Sequence, residues 1–311
     1  MANPPPLVTI GVPVYQGEAF LADALAALCG QDHDNVEIII SDNGSTDGTQ
    51  EICRRFAASD SRIRYLRSPE NRGASWNYNR LFAEARGQYF KWAAHDDLHD
   101  PGFIRRCVAL LQDDPGAALA FSRTRFIDGD GTEIENPWGD EIAIDDPEAG
   151  ARWRRFLLNQ TTQYNAIWGV IRTDILRDTG LIGHYWGSDL VLLAEIAMRG
   201  RILLIPETLF HRRLHDARSM IAQRDRRVQL AWFDPKRANR SACPLLRWYG
   251  ELARAMVNGP LPLADKIQGA VLLAKLLAWT PDDRSGIRDE IIHWLRSGLK
   301  SPLLPFSRAG R

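Results

Sequence analysis

The chain lacks most features that would set it apart from an ordinary globular protein. It has four cysteines in 311 residues, Cys29, Cys53, Cys107 and Cys243, and no CxxC pair. A chain this long needs no disulfide staples, so the four read as reduced, mostly buried thiols of a cytosolic protein. It has no surplus of either charge, because Lys plus Arg and Asp plus Glu both total 39. Without a basic excess to displace counterions, nucleic acid is excluded as the main partner. Met-Ala-Asn-Pro-Pro-Pro at the start has neither a basic nor an apolar leader region, so no secretory signal is expected. The most apolar segment, Gly269 to Trp279, is too short to span a bilayer and contains Lys275. No membrane crossing is expected, although contact with a membrane face stays open. Internal repeats and low-complexity tracts are missing too.

The chain does contain a regular alternation. Leu7 to Tyr15, Val36 to Ser41, Ile63 to Leu66 and Gly87 to Trp92 are β-prone runs. Pro13 should end the pairing of the first. Between them lie helical patterns over Glu18–Cys29, Gln50–Ala58 and Trp76–Ala85. Four strands joined through helices by short connections predict a parallel sheet with helices on both faces. Ligands of such sheets bind at the carboxyl ends of the strands. Three unusual loops fall there: Pro13-Val14-Tyr15, Asp42 to Asp47, and His95-Asp96-Asp97.

Later elements are less regular. A helix is expected over Phe103–Leu111, with strands over Ala117–Phe121 and Arg123–Ile127 before a hairpin turn at Asp128-Gly129-Asp130-Gly131. Trp138 to Gly150 is acidic and reads as an exposed loop, and Trp153–Asn159 as a helix. Ala166–Ile171 and Arg201–Ile205 read as strands, and Leu190–Met198 as a helix ended by Gly200. Beyond about Met220 the composition changes. Arginine, lysine, Trp232 and Phe233 interleave over 223–240, then helices are expected over Leu245–Val257, Pro262–Trp279 and Ile287–Leu295. This C-terminal part reads as a helical appendage.

The acidic pair is the sharpest chemical signal. Adjacent carboxylates repel unless a cation or a strong donor set lies between them. Mg²⁺ or Mn²⁺ accepts one or two carboxylates together with phosphate oxygens, so Asp96 and Asp97 fit a metal-diphosphate site. The bland alternative is a helix start, with Asp100 capping ahead of Pro101.

Residues 7–215 resemble a family 2 glycosyltransferase with the GT-A fold. The matching pieces are Thr-Ile-Gly-Val-Pro-Val-Tyr-Gln, Ser-Asp-Asn-Gly-Ser-Thr-Asp-Gly-Thr, Asn-Arg-Gly with Asn79 and Ala-Arg-Gly-Gln-Tyr-Phe after it, His-Asp-Asp, and Ser-Asp-Leu before a helix. Each is weak alone, but five in order are specific. The resemblance implies a Rossmann-like, mostly parallel central sheet, with a nucleotide-sugar-binding half over about 1–97 and an acceptor-binding half over about 98–220. Residues 221–311 form the helical extension.

The resemblance also assigns roles. Asp42 would accept the imide N–H of uracil, with an Asx-turn as its plainer role. Tyr15 would pack on the base, with a core tyrosine as the alternative. Pro13 and Val14 would offer backbone groups, and Arg72 would border the base and diphosphate. Asp97 matches the last residue of the family's Asp-x-Asp motif and would bind the metal. Asp96 is the variable middle residue, near the ribose. His95 stands where the first Asp is usual, a departure that leaves its ligation open. His215 would be a third metal ligand and Arg213 a phosphate contact, or both would be surface groups on a loop. His211 reads as structural. Asp189 would be the base that deprotonates the acceptor hydroxyl, or merely the N-cap of its helix. Ser188 stands where the family often has Glu.

The expected activity is therefore a Mn²⁺- or Mg²⁺-dependent, inverting transfer of a sugar. The donor would be a nucleotide diphosphate, UDP favoured, and the acceptor a hydroxyl of a glycan, lipid-linked glycan or other glycoconjugate. A nucleotide-sugar-binding module without turnover is the rival reading, and Ser188 and His95 favour it. A nucleotidyltransferase is set aside, because the first strand lacks the Gly-rich, Arg-containing loop after it. The expected setting is cytoplasmic, with peripheral membrane contact through 223–240 as one use of that basic segment.

Overall fold

The computed structural model describes residues 4–137, 139–159, 164–215, 232–233 and 244–279. The basic segment 223–240, apart from Trp232 and Phe233, and the expected helix 287–295 lie outside the described residues, as does Cys243.

The first half alternates as its sequence predicts: β1 (Val8–Val14), α1 (Leu21–Cys29), β2 (Val36–Asp42), α2 (Thr49–Ser59), β3 (Ile63–Arg67), α3 (Ala74–Ala83) and β4 (Tyr89–Trp92). Then come β5 (Leu98–His99), α4 (Phe103–Asp113), β6 (Ala117–Ile127), β7 (Glu133–Ile134), α5 (Ala149–Leu158), a 3₁₀ turn (Tyr164–Trp168), β8 (Val170–Arg172) and α6 (Thr173–Arg177). The remaining described elements are α7 (Ser188–Arg199), β9 (Arg201–Arg213), α8 (Pro244–Asn258) and α9 (Leu263–Trp279). No described helix is long and apolar enough to cross a membrane.

Among the described residues the strands form one sheet in the order β3-β2-β1-β4-β8-β6-β9-β5, with β7 on β6. The four strands of the first half are parallel. The second half is mixed, so "mostly parallel" holds for the first half only. Strand β8 runs antiparallel to β4 and β6, β9 runs parallel to β6, and β5 is antiparallel to β9.

Alternating side chains cover both faces. Val8, Ile10, Val12 and Val14 of β1 pack with Leu21, Leu25 and Leu28 of α1 and with Phe103 and Val108 of α4. On the other face Phe90 and Trp92 of β4 join Leu81 of α3, Trp153 of α5 and the apolar side of α7. The C-terminal helices belong to this second core rather than hanging off it. Trp248, Leu252 and Met256 of α8 are buried there. Each such side chain contributes roughly 1.5–3 kcal/mol by leaving water.

Several expectations need correction. Pro13 does not end the pairing: β1 stays paired with β2 through Val14↔Asp42. The Val14 carbonyl accepts from the Asn43 amide on the β2 side, while the Gly11 carbonyl accepts from Ala93 on the β4 side. Alternation therefore points the Pro13 nitrogen towards β4, where the ladder has already ended at Gly11↔Trp92. The two strands expected over 117–127 are one strand with irregular register around Ser122, Arg123 and Thr124.

The strand expected over 166–171 is a 3₁₀ turn followed by a short strand. Gly169 closes the turn onto the Ala166 carbonyl at 3.0 Å and lies so close to β6 that a Cβ would sit 2.5 Å from the Ala120 carbonyl oxygen. Nor is the acidic stretch after 138 simply exposed. Ile144 is fully buried and bridges to Ile202, and Glu141 is buried.

One charge sits deep in this frame. Lys91 on β4 is fully buried, donates to the Trp168 carbonyl and stands 4.5 Å from the Phe103 ring centre. Burial pulls its pKa down to about 7. In the unfolded chain it titrates near 10.4, so the folded state is the weaker proton binder between these values. Its destabilising effect is fully present below pH 7 and fades as pH rises towards 10. Lys91→Met should therefore raise Tm by several degrees at pH 6–7, with the gain shrinking by pH 9.5. Thermal melts across that pH range check it.

Candidate active site

Three loops at the carboxyl ends of β1, β2 and β3 are knitted into one rim. Gln16, at φ +53°, donates its amide to Ser45 Oγ at 3.0 Å and accepts from the Thr46 amide at 2.8 Å. The Gly17 amide donates to Thr49 Oγ1 at 2.8 Å. A Cβ on Gly17 would fall 2.6 Å from Val14 Cγ2 and 2.9 Å from His95 Cδ2, so glycine lets the acidic loop close over β1. Asn43 ties the next two loops together, donating to Asn71 Oδ1 at 2.9 Å and accepting from the Arg72 amide at 3.0 Å.

The expected nucleotide residues lie on this rim in different states. Tyr15 is 44% exposed, so it is not a core tyrosine. Pro13 and Val14 are buried in β1. Arg72 lies over the Trp76 ring at 4.1 Å, a cation–π contact that holds its head at the surface. Asp42 is fully buried. Its Oδ1 accepts from the Ser45 amide three residues on at 2.8 Å, one residue beyond the reach of an Asx-turn, and its Oδ2 accepts from Tyr65 OH at 2.8 Å and Arg67 Nε at 3.1 Å. Sequence reasoning missed Tyr65 and Arg67, which come from β3 and meet Asp42 only through strand pairing.

The acidic pair is not a helix start, because β5 follows it. Asp100 does not cap α4 with its side chain either; its Oδ1 lies 3.0 Å from His211 Nε2. Asp97 is buried and its Oδ1 accepts the Arg213 amide at 2.9 Å, which fastens the end of β9 to the end of β4. Asp96 Oδ2 lies 3.1 Å from His215 Nε2, and the imidazole rests on Phe20 with ring centres 4.6 Å apart.

Arg213 is not a surface group on a loop. It is 4% exposed, and its Nε and Nη1 donate to the carbonyls of Asp96, Asp128 and Gly129. It ties the β6–β7 turn to the acidic loop. His95 is half-buried against Gly17. Among the described residues no three His, Cys, Asp or Glu side chains converge closely enough to cage a metal ion. The donor set still fits Mg²⁺ or Mn²⁺ of the kind that binds one or two carboxylates and takes its other oxygens from phosphate and water.

Asp189 lies in the first turn of α7, not at its cap, which is Gly187. Burial raises its carboxyl pKa, against the pull of the Leu190 amide, its own amide and the Arg212 charge. The charges of the acidic pair and of Asp189 all act on Tyr78 of α3, whose phenol is buried. Burial, then the negative charges of Asp96, Asp189 and Asp97, push the Tyr78 phenol upward, while Arg212 opposes them. Helix α3 also holds the loop that leads to Asp189. Ser75 donates to the Gly183 carbonyl at 2.7 Å, and the Asn79 amide brackets Ile182, donating to its carbonyl at 3.0 Å and accepting from its N–H at 3.1 Å. Ser75, Tyr78 and Asn79 stand three and four apart, on one helix face. That spacing was a signal available in the sequence.

Arg212 was missed altogether. It is buried on β9 and donates to Asn165 Oδ1, and Asn165 Nδ2 donates to Glu141 Oε1 at 2.9 Å. The buried cation is thus balanced through an asparagine by a carboxylate from the acidic stretch.

A family model described as glycosyl transferase family 2 matches residues 9–173. The glycosyltransferase GlyG of Streptococcus pneumoniae is 26% identical over 140 residues, 45% of this chain and 46% of that protein. The chain spans about half or less of the length of most curated relatives it matches. In fold it is similar to S. aureus TarS 1–349 solved in complex with UDP, with TM-score 0.67, 15% identity, and coverage of 93% of this chain and 78% of that one. It is similar also to the mannosyltransferase PcManGT of Pyrobaculum calidifontis solved with GDP-Man and Mn²⁺. There the TM-score is 0.56 and the identity 16%, over 94% of this chain and 76% of that one. At these identities the likeness establishes the GT-A fold.

The raised pKa of Asp189 carries a stability consequence. A carboxyl whose folded pKa lies above its unfolded value stabilises the fold only while protonated, and that contribution is lost as pH rises through the folded pKa. Asp189→Asn should therefore be more stable than wild type at pH 7, by a few degrees in Tm. The gain should vanish as pH falls below about 4. Paired thermal melts at pH 7 and at acid pH measure it.

Proposed function

The chain belongs to glycosyl transferase family 2, and on that footing we propose that it transfers a sugar from a nucleotide diphosphate donor to an acceptor hydroxyl, with inversion at the anomeric carbon. The observation that carries this reading is the acidic pair beyond the carboxyl end of β4, tied to the end of β9 through Asp97 with the Arg213 amide and Asp96 with His215, while the charge of Asp189 acts on the same buried Tyr78 phenol as theirs. One end of that group suits a diphosphate with its cation. The other suits a hydroxyl about to lose a proton.

In this reading the nucleoside lies on the rim of β1, β2 and β3. The exposed Tyr15 stacks on the base, with Pro13, Val14, Asp42 and Arg72 around it. Asp42 is braced by Tyr65 and Arg67 rather than reaching freely. UDP is the favoured nucleotide, which accords with the UDP bound in the TarS structure. The GDP-Man and Mn²⁺ of the mannosyltransferase structure support a nucleotide diphosphate donor and a divalent cation more generally. Asp96 would lie near the ribose, and Asp97, with His95 or His215 beside phosphate oxygens and water, would hold that cation. When bound, it neutralises charge on the departing diphosphate.

Asp189 takes the proton of the acceptor hydroxyl. Burial raises its pKa, which makes the ionised carboxylate a stronger base than a solvated aspartate. The acceptor is proposed to be a growing glycan, a lipid-linked glycan or a related glycoconjugate. The setting is a cytoplasmic one, with residues 223–240 against an anionic membrane face.

Calorimetric titration with UDP, dTDP and GDP, with and without Mn²⁺, should show Mn²⁺-dependent binding of one nucleotide, lost in Asp97→Ala. Asp189→Asn should keep that binding and lose about 10²–10⁴-fold in kcat. Binding that ignores both metal and Asp97 would sink the diphosphate site. Binding without any turnover of a UDP-sugar would favour the binding-module reading.

A further inference from the structure

The peptide that carries Asp189 is held by a helix from outside the sheet domain. Gly187 precedes α7 at φ +75°, a left-handed backbone that side chains rarely adopt. Its carbonyl accepts from the Leu190 and Val191 amides at 3.1 and 3.2 Å, so this one residue sets the direction in which the first turn, and Asp189 with it, leaves the loop.

The indole of Trp248 on α8 occupies the space a side chain at 187 would need. A Cβ built there would fall 2.8 Å from both Cδ1 and Nε1 of Trp248. Trp248 is 5% exposed and meets Trp186 edge to face, with ring centres 6.2 Å apart. Its neighbour Arg247 lies over the Tyr185 ring at 4.9 Å. Residues 185, 186 and 187 are thus each touched by α8. At the far end of α7, a Cβ on Gly259, in the turn between α8 and α9, would sit 2.7 Å from Met198 Sδ. The extension therefore grips α7 at both ends, while Leu252 and Met256 lie in the apolar core shared with its middle.

A cover for an apolar face would need only the contacts in the middle. The contacts at 185–187 fall on the loop before the helix, where besides burying Tyr185 and Trp248 they bear on the backbone that leads into α7. Because Gly187 has no side chain, the indole rests on its main chain, and a shift of α8 passes directly to the peptide before Asp189.

We infer that α8, through Trp248 packed on Gly187, is a positioning element for Asp189, so that the C-terminal extension completes the active site. Trp248 is a positioning residue and touches no reacting atom. The inference rests on the reading of Asp189 as the base. A misplacement of about 1 Å at a reacting group costs on the order of 10²-fold in rate, so a loosened clamp should be visible in kcat.

The test uses the full chain carrying Trp248→Ala or Trp248→Phe. Two readouts are taken: amide hydrogen exchange along residues 184–199, and kcat and donor KM for UDP-glucose and UDP-N-acetylglucosamine turnover with Mn²⁺. In Trp248→Ala, exchange should speed up by about tenfold or more over 186–190 while 192–199 stays protected. The kcat should fall about 10- to 100-fold with donor KM nearly unchanged. Trp248→Phe, which keeps a ring against Gly187, should recover most of both.

Unchanged exchange at 186–190, or a uniform loss of protection along all of α7, would overturn the inference, the latter by showing mere structural support. Should Trp248→Ala not fold, Gly187→Ala serves instead. It should cost more kcat beside Trp248 than in a Trp248→Phe background, and equal losses would also overturn it. The exchange readout does not depend on turnover. A wild type that turns over neither donor, with exchange responding as above, would speak against the base reading and leave the clamp standing.

Discussion

Val14 pairs with Asp42 and Gly11 with Trp92, so β1 and its two parallel neighbours run out on the same side of the sheet. Everything proposed for this site depends on that register. It stacks the loops after β1, β2, β3 and β4 on one rim, and side-chain hydrogen bonds among Gln16, Ser45, Asn43 and Asn71 then lock them to each other. A slip by one residue would turn Asp42 to the opposite face and separate it from Tyr65 and Arg67.

The second half of the chain completes the rim through β9. This strand brings two neighbouring arginines to the same end of the sheet and uses both inward. The Arg213 amide holds Asp97, and its guanidinium ties two turns together. Arg212 runs to Asn165 and Glu141 and acts on Asp189 through its charge. Burying such groups is costly unless they are well paired. Here the partners are carbonyls and an asparagine-bridged carboxylate, which hold the cations in one place. Lys91, with the Trp168 carbonyl and the aromatic rings around it, is a less compensated case deeper in the same core.

The C-terminal extension changes standing once the fold is seen. Its sequence reads as a helical appendage behind a basic, aromatic-interleaved segment, with nothing that ties the helices to the site. In the structure Trp248, Leu252 and Met256 share a core with α7, and the Trp248 indole rests on the backbone that leads to Asp189. A helix that would pass for packing material lies against the loop that leads into the proposed base.

By itself the sequence determined the first four strands, their helices and the rim on which the polar loops gather. These follow from local patterns: apolar runs of strand length, helical spacing between them, and turn formers at the joints. It determined also that Asp96, Asp97 and Asp189 stand at element ends, because position in an element is a local property. Only the tertiary structure decided which groups meet. The bracketing of Ile182 by Asn79, the contact of Trp248 with Gly187, and the chain from Glu141 through Asn165 to Arg212 all join residues distant in the chain. The burial of Arg213 and the 3₁₀ turn at Tyr164–Trp168 were settled in the same way. Each is a pairing across space, and the residues on either side of it carry no mark in the sequence of which partner the fold will bring.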